Sequence, residues 1–257
     1  MRESHTAKPY RAILSLAVLL TVAALSGCAL LGPSYRPEPI VLSLADELAL
    51  EGRFVSGRGY YGVLPPPEAA LSAAGRREAV VFYPGGKVKP LAYLPLWELV
   101  SRSGYAVYVP IMPLDLAVFK IGAAASVRKA LPPYEAWHIA GHSLGGAMAA
   151  EHIKKGGTDY KSLILLGSYP ADKTDLSALP IAVLSIREEF GLPGGTEKAQ
   201  ALRANLPPGH VFIMLPGGNH AQFGRYGVQK GDGTASISAE EQAATAAAWI
   251  VEFLRGL

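Results

Sequence analysis

Residues 141–146 have the sequence Gly-His-Ser-Leu-Gly-Gly, a G-x-S-x-G pattern with a serine between two glycines. An apolar segment over residues 136–140 precedes it, and the helix-favouring residues 147–152 follow it. In a sharp turn from strand to helix, such a serine is held in strained geometry with its hydroxyl raised above the sheet edge. The glycines are needed because strand and helix backbones pass close together there. The pattern therefore predicts a nucleophilic Ser143.

The rest of the chain alternates between apolar, strand-like segments and helix-like segments. Predicted strands cover residues 79–83, 106–109, 136–140, 161–166, 181–186 and 211–215, and predicted helices cover 91–103, 116–130, 147–152, 197–205 and 240–254. This alternation indicates an α/β protein with a mostly parallel central sheet flanked by helices. Residues 58–64 favour a leading antiparallel hairpin, and the segment between residues 167 and 180 is too short for a large cap domain.

The N-terminus has the organisation of a secretory signal peptide over residues 1–27. Three basic residues lie among the first eleven, and an apolar run over residues 12–25 follows that is short for a membrane span. Because residues 1–27 carry three basic side chains and one acidic side chain, cleavage lowers the formal net charge from +3 to +1. No basic run interleaved with aromatic residues is present, so we expect no nucleic-acid partner.

Residues 25–28, Leu-Ser-Gly-Cys, resemble the lipobox of bacterial lipoproteins, in which the cysteine carries a lipid and becomes the mature N-terminus. Cys28 is the only cysteine, so an internal disulfide is excluded. We predict a lipid-anchored tether over residues 28–39 and an α/β domain over residues 40–257. The predicted location is the bacterial cell envelope, and Ala29 favours the periplasmic face of an outer membrane. An uncleaved membrane anchor or a free buried cysteine are the alternatives.

A serine hydroxyl needs a general base, and His220 is the best-placed histidine. It follows the predicted strand over residues 211–215, and glycines in between allow the loop to fold back toward the serine. The other histidines occupy less suitable positions, such as His142 within the serine turn and His138 within a strand. We therefore predict that His220 accepts the proton of Ser143.

A carboxylate must orient the imidazole and stabilise its charged form. The segment after the strand over residues 181–186 contains no aspartate but has Glu188 and Glu189. We favour Glu189, with Glu188 second and Asp175 third. Each glutamate has the alternative role of a solvated charge that pairs with Arg187.

An oxyanion formed during acyl transfer needs hydrogen-bond donors, which backbone amides supply. The amide of Leu144, directly after the nucleophile, is one candidate, and the glycine-rich turn after the first core strand provides the other. We assign the second donor to Gly86, with Lys87 as the next choice.

Three segments of this chain resemble the compact bacterial α/β-hydrolase family in chain order: residues 83–88, 141–146 and 218–224. The resemblance covers about residues 76–257. It implies Ser143 as nucleophile, His220 as base, and the amides of Gly86 and Leu144 as oxyanion donors. Similar family members carry an aspartate about where Gly191 stands, and this chain departs from them there.

The expected function is that of a serine hydrolase that cleaves a carboxylic ester or related acyl bond of a small molecule. Such chemistry needs no metal and no cofactor, and residues 231–233 predict a turn into the last helix, not a cation loop. Tyr93, Phe119 and Tyr169 are candidate pocket residues. The alternative is a non-catalytic surface lipoprotein that binds a ligand or partner in the same place. The motifs do not distinguish one acyl substrate from another, and they carry no information on the oligomeric state.

Overall fold

The computed structural model describes residues 32–157, 159–192 and 194–257. Eight strands form one sheet with the spatial order β1-β2-β4-β3-β5-β6-β7-β8. They are β1 Phe54–Gly57, β2 Tyr60–Val63, β3 Glu78–Tyr83, β4 Tyr105–Pro110, β5 Ala136–His142, β6 Ser162–Leu166, β7 Ala182–Phe190 and β8 Val211–Asn219.

Helices connect the strands within the described ranges. The α-helices are α1 Pro39–Leu50, α2 Leu94–Ser101, α3 Ala123–Ala130, α4 Leu144–Lys154, α5 Gly195–Ala201 and α6 Ala239–Arg255. Short 3₁₀ turns, including Pro90–Tyr93 before α2 and Ala221–Phe223 after β8, join them to the sheet.

The sheet is mostly parallel, as the sequence predicts. Strands β4, β3, β5, β6, β7 and β8 run parallel, whereas β1 and β2 form an antiparallel hairpin that continues antiparallel onto β4. Because the parallel strands share one direction, their carboxyl ends meet at one edge, where a site is expected. The segment over residues 167–181 contains no helix or strand, so no large cap covers that edge.

Two apolar cores lie on opposite faces of the sheet. The pleat of β3 sends Val80 and Phe82 to the core under α1, α2 and α6, and Val81 and Tyr83 to the core under α3 and α4. All six residues of β3 are buried. Burial on both faces explains why the parallel strands are continuous apolar runs and do not alternate with polar residues.

Five elements differ from their sequence-based predictions. Helix α1 lies within about residues 40–67, for which the sequence predicts short extended segments, although Val41, Ala45 and Leu48 have helical spacing on its buried face. Strands β7 and β8 extend to residues 190 and 219, beyond the predicted ends at 186 and 215. The helix predicted over residues 116–130 is confined to α3 and a preceding 3₁₀ turn. The α-helix predicted over residues 197–205 ends at Ala201, and residues 202–205 form a 3₁₀ turn.

The compact unit begins at Tyr35, five residues before the predicted domain boundary. The Tyr35 amide donates to the Lys87 carbonyl at 2.7 Å, and the Lys89 amide donates to the Tyr35 carbonyl at 3.0 Å. These bonds tie the first residues of the unit to the loop after β3. The predicted signal peptide and Cys28 lie outside the described residues. In the described part, the helices lack the length and apolarity that crossing a bilayer requires.

Candidate active site

Ser143 lies at the turn between β5 and α4, at the carboxyl edge of the sheet. Its backbone has φ 52° and ψ −124°, an unfavourable region for a residue with a side chain. The turn is fixed on both sides: the Ser143 amide donates to the Leu166 carbonyl at 3.0 Å, and Ser168 Oγ donates to the Ser143 carbonyl at 2.7 Å. The strained geometry expected of a nucleophilic serine is therefore present and supported by β6 and its following loop.

The glycines around Ser143 are required by close backbone contacts. A Cβ on Gly141 would lie 2.5 Å from the Gly145 carbonyl carbon and from the Gly146 amide nitrogen. A Cβ on Gly145 would collide with the carbonyl oxygens of Tyr83 and Pro84. Any side chain at these positions would push α4 away from β3 and β5, and Ser143 would move with it.

His220 lies directly after β8 and is 2% exposed. Its Nδ1 is 2.8 Å from Glu188 Oε1, and Glu188 is fully buried. His220 Nε2 has no hydrogen-bond partner among the described residues. The pair is thus an imidazole held at one nitrogen by a buried carboxylate, with the other nitrogen left for a proton transfer.

The preference for Glu189 as the carboxylate on His220 is corrected by this geometry. Strand β7 extends through both glutamates, so successive side chains point to opposite faces. Glu188 continues the face of Leu184 and Ile186, which pack in the same core as the segment after His220. Glu189 is exposed, and its Oε2 accepts the Gly217 amide at 2.8 Å. The third choice, Asp175, accepts the Ser177 amide at 2.9 Å on the surface.

Glu188 also accounts for the missing aspartate at Gly191. A Cβ on Gly191 would lie 2.8 Å from Cδ and Cγ of Glu188 and would overlap its Oε1. The Glu188 carboxylate thus occupies the space into which a side chain at position 191 would extend. Similar family members have an aspartate at about position 191. This chain has glycine there, and Glu188 brings a carboxylate to His220 from a position three residues earlier.

Two unused amides lie near Ser143, that of Gly86 in the loop after β3 and that of Leu144 at the start of α4. Within the described ranges, neither the Gly86 amide nor the Leu144 amide donates a hydrogen bond to the protein. A Cβ on Gly86 would lie 3.0 Å from Leu144 Cδ2, which shows how closely the two residues approach. The alternative donor, Lys87, is occupied because its amide donates to the Asp115 carbonyl at 2.7 Å. The pair of amides matches the donor set that the sequence predicts for an oxyanion.

A second histidine, His142, lies beneath the site in a buried polar chain. The Gly85 amide donates to the Tyr93 hydroxyl at 2.9 Å, and that hydroxyl is 2.8 Å from His142 Nδ1. The rings of His142 and His220 are 4.4 Å apart. Burial, together with the charges of His220 and Arg187, lowers the pKa of His142 well below 6.5. His142 is therefore a neutral imidazole that accepts the Tyr93 proton and connects the turn at Ser143 to the loop that carries Gly86.

Ser143, Leu144 and His220 line one cavity of about 920 Å³ at the carboxyl edge of the sheet. Of the candidate pocket aromatics, Tyr169 lines this cavity. Tyr93 is fully buried beneath it, and Phe119 is 53% exposed and not among the lining residues. The described residues include no cluster of His, Cys, Asp and Glu side chains suited to a metal ion.

Sequence reasoning missed the role of Asp232, which lies in the predicted turn over residues 231–233. Its Oδ1 accepts the His220 amide at 3.1 Å, and its Oδ2 accepts the Ala221 amide at 2.7 Å. The carboxylate thereby fixes the start of the 3₁₀ turn after β8 and holds the backbone of His220. An aspartate between two glycines marks a turn, but the sequence alone does not show which backbone it binds.

Comparisons with known proteins agree with the fold of this chain. A family model described as the alpha/beta hydrolase family matches residues 79–244. The esterase domain of a Rhodothermus marinus protein superposes with a TM-score of 0.56 at 16% identity, covering 77% of this chain and 92% of that chain. Est1E from Butyrivibrio proteoclasticus gives a TM-score of 0.56 at 14% identity over 78% of this chain and 98% of that chain. A ferulic acid esterase from Streptomyces cinnamoneus gives 0.53 at 21% identity over 69% and 66%. No curated protein sequence matches significantly.

Replacing His142 tests the buried neutral imidazole. Its lowered pKa means that the folded chain stays neutral there while the unfolded chain takes up a proton as the pH falls below 6.5, so acid destabilises the fold. His142→Asn keeps an acceptor for Tyr93. In this variant, we expect the decrease in the free energy of unfolding between about pH 6 and pH 5 to be smaller than in the wild type by about 1 kcal/mol. Urea unfolding across this range measures the difference.

Tyr93→Phe serves as the control because it removes the hydroxyl and leaves the imidazole buried. We expect a stability loss of about 1 kcal/mol with the pH slope of the wild type retained. Identical pH slopes in the wild type and His142→Asn would contradict the assignment.

Proposed function

Because the chain belongs to the alpha/beta hydrolase family, we propose that it is a serine hydrolase that cleaves a carboxylic ester through Ser143, His220 and Glu188. The observation that carries this proposal is the buried Glu188–His220 pair, 2.8 Å apart: His220 lines the same cavity as Ser143, and its Nε2 has no hydrogen-bond partner among the described residues. Two of the structural neighbours are an esterase domain and a ferulic acid esterase, which favours an ester over other acyl bonds.

In the first half of the reaction, Ser143 Oγ attacks the ester carbonyl carbon while His220 Nε2 takes the hydroxyl proton. Glu188 stabilises the resulting imidazolium through Nδ1. The tetrahedral intermediate then expels the alcohol, which takes the proton from Nε2. An acyl group remains on Ser143 Oγ.

In the second half, water attacks the acyl carbon and gives its proton to His220 Nε2. The Ser143 oxygen leaves with that proton, and the carboxylic acid is released, so the enzyme returns to its starting state. The Gly86 and Leu144 amides stabilise the oxyanion in both halves, and the loss of one such donor reduces the rate by about 10²- to 10³-fold. The strained Ser143 backbone keeps Leu144 pointed toward that oxygen.

The alternative of a non-catalytic binding protein rested on the missing aspartate near position 191. The Glu188 carboxylate fills that space and contacts His220, so the departure from the family pattern is compatible with catalysis. This geometry favours the hydrolase over a binding protein that retains only the sheet.

We further propose that the mature protein is attached to a membrane of the bacterial cell envelope through a lipid on Cys28. The support is the sequence of residues 25–28 at the end of an apolar run, and the absence of a second cysteine. The segment before Tyr35 then serves as the connection to the compact unit.

Active-site labelling tests the nucleophile. We expect a fluorophosphonate probe to label the wild type at Ser143, and Ser143→Ala to lose both the label and ester hydrolysis by about 10³-fold or more. Ser126→Ala on the exposed face of α3 is the matched control, because it removes a serine hydroxyl that takes no part in fixing the Ser143 turn. A folded wild type that takes no label, or takes it at another residue, would refute the proposal.

The two adjacent glutamates provide an internal comparison. Glu188→Gln removes the charge that stabilises the His220 imidazolium, and we expect kcat/KM to fall by about 10²- to 10⁴-fold. Glu189→Gln keeps an oxygen acceptor for the Gly217 amide, so activity should change little. Steady-state kinetics on one ester measures both variants, and a larger loss in Glu189→Gln would reverse the assignment.

Metabolic labelling tests the anchor. In a Gram-negative host that makes the full chain, we expect radiolabelled palmitate to be incorporated into the wild type and into Ser143→Ala, but not into Cys28→Ser. Incorporation into Cys28→Ser would show that this residue is not the attachment point.

A further inference from the structure

The charged side chains of the cavity wall differ in how fully the protein supplies them with hydrogen-bond or ion-pair partners. Its two surface-side carboxylates are already engaged: Glu151 Oε2 accepts from Thr174 Oγ1 at 2.6 Å, and Asp172 pairs with Lys198 at 3.6 Å. The remaining buried charge on the wall is the guanidinium of Arg187, which is 1% exposed. The wall therefore presents a buried positive charge to whatever occupies the cavity.

Arg187 has few interactions for a buried arginine. Of its five N–H donors, the one on Nε is buried without a hydrogen-bond partner among the described residues. Its Nη2 lies 3.4 Å from Glu188 Oε1, and that oxygen already accepts from His220 Nδ1 at 2.8 Å. Burying a charge with unmet donors is expensive unless a ligand meets them.

Arg187 lines the same cavity as Ser143 and His220. It neighbours Glu188 on β7, so the pleat starts the two side chains on opposite faces of the strand, and their charged ends approach each other at the carboxyl edge of the sheet. Glu188 faces His220, whereas Arg187 lines the cavity near Gly195, where a Cβ would lie 2.8 Å from Nη2. The guanidinium is thus available to a bound molecule.

We propose that Arg187 binds a carboxylate on the substrate, so that this enzyme hydrolyses half esters of dicarboxylic acids. The inference rests on the proposed serine hydrolase function. The planar guanidinium matches a carboxylate in two parallel hydrogen bonds, and such charge-assisted bonds are strong in a buried site. The wall of the same cavity also includes the apolar residues Ile121, Met148 and Leu192, which suit the methylene chain between the two carboxyl groups of such a substrate.

A matched pair of esters tests the proposal. Monoethyl glutarate and ethyl pentanoate have acyl chains of equal length and differ by a carboxylate in place of the terminal methyl group. We expect the wild type to favour the half ester in kcat/KM by about tenfold or more, as for a charge-assisted hydrogen bond. In Arg187→Gln this ratio should fall by about tenfold or more, and Arg187→Lys should keep part of it because the charge remains.

Lys198→Gln is the matched control, because it removes a half-exposed cation from the same wall and should leave the ratio as in the wild type. If the ratio fell equally in Lys198→Gln, the preference for the half ester would come from the summed positive charge of the cavity wall, and the role of Arg187 would be overturned. Equal rates on the two esters in the wild type would overturn it as well. So would a loss in Arg187→Gln of the same factor on both esters, because Arg187 would then act only through Glu188.

Binding to Ser143→Ala separates this inference from the proposed function. By calorimetry, we expect glutarate to bind this variant more tightly than pentanoate does, and the difference to disappear when Arg187→Gln is added. Equal binding of the two acids refutes the anion site even if the wild type is an active esterase. Conversely, a wild type that hydrolyses no ester and takes no fluorophosphonate label refutes the hydrolase, whatever glutarate does.

Discussion

The close backbone contact between α4 and the neighbouring strands is the constraint on which the site depends. Gly145 lies against the carbonyls of Tyr83 and Pro84, and this contact brings the start of α4 to the end of β3. As a result, the strained Ser143, the Leu144 amide and the loop that carries Gly86 occupy one small region. The strain at Ser143 is maintained by these contacts and by the hydrogen bonds of Ser143 with Leu166 and Ser168.

The titratable groups of this region surround one carboxylate–imidazole pair, Glu188 and His220. His142 is buried beside His220, and its lowered pKa keeps it neutral, so it adds no positive charge next to the His220 imidazole. Glu188 contacts His220, and Arg187 Nη2 lies 3.4 Å from the same Glu188 oxygen. In the function that we propose, these two neighbouring residues of one strand have different roles, Glu188 in proton transfer and Arg187 in binding the anionic end of the substrate.

Reasoning from the sequence located those features of the molecule that local sequence patterns determine. The turn around Ser143, the parallel strands beside it and the position of His220 after a late strand follow from glycine placement and apolar runs, without knowledge of the tertiary structure. The choice between Glu188 and Glu189 does not follow from local pattern. It depends on how far β7 extends and on the face on which each side chain lies, and both are set by the pairing of β7 with β8. Asp232 was missed for a related reason, since its partners are backbone amides eleven and twelve residues away.

The shared space of Glu188 and Gly191 constrains how this family can diverge. With Glu188 Oε1 on the imidazole, a side chain at 191 would overlap that carboxylate, so the two positions compete for one space beside His220. In a homologue that carries its acid at the position of Gly191, we therefore expect a smaller residue, or a side chain turned away from the imidazole, at the position of Glu188.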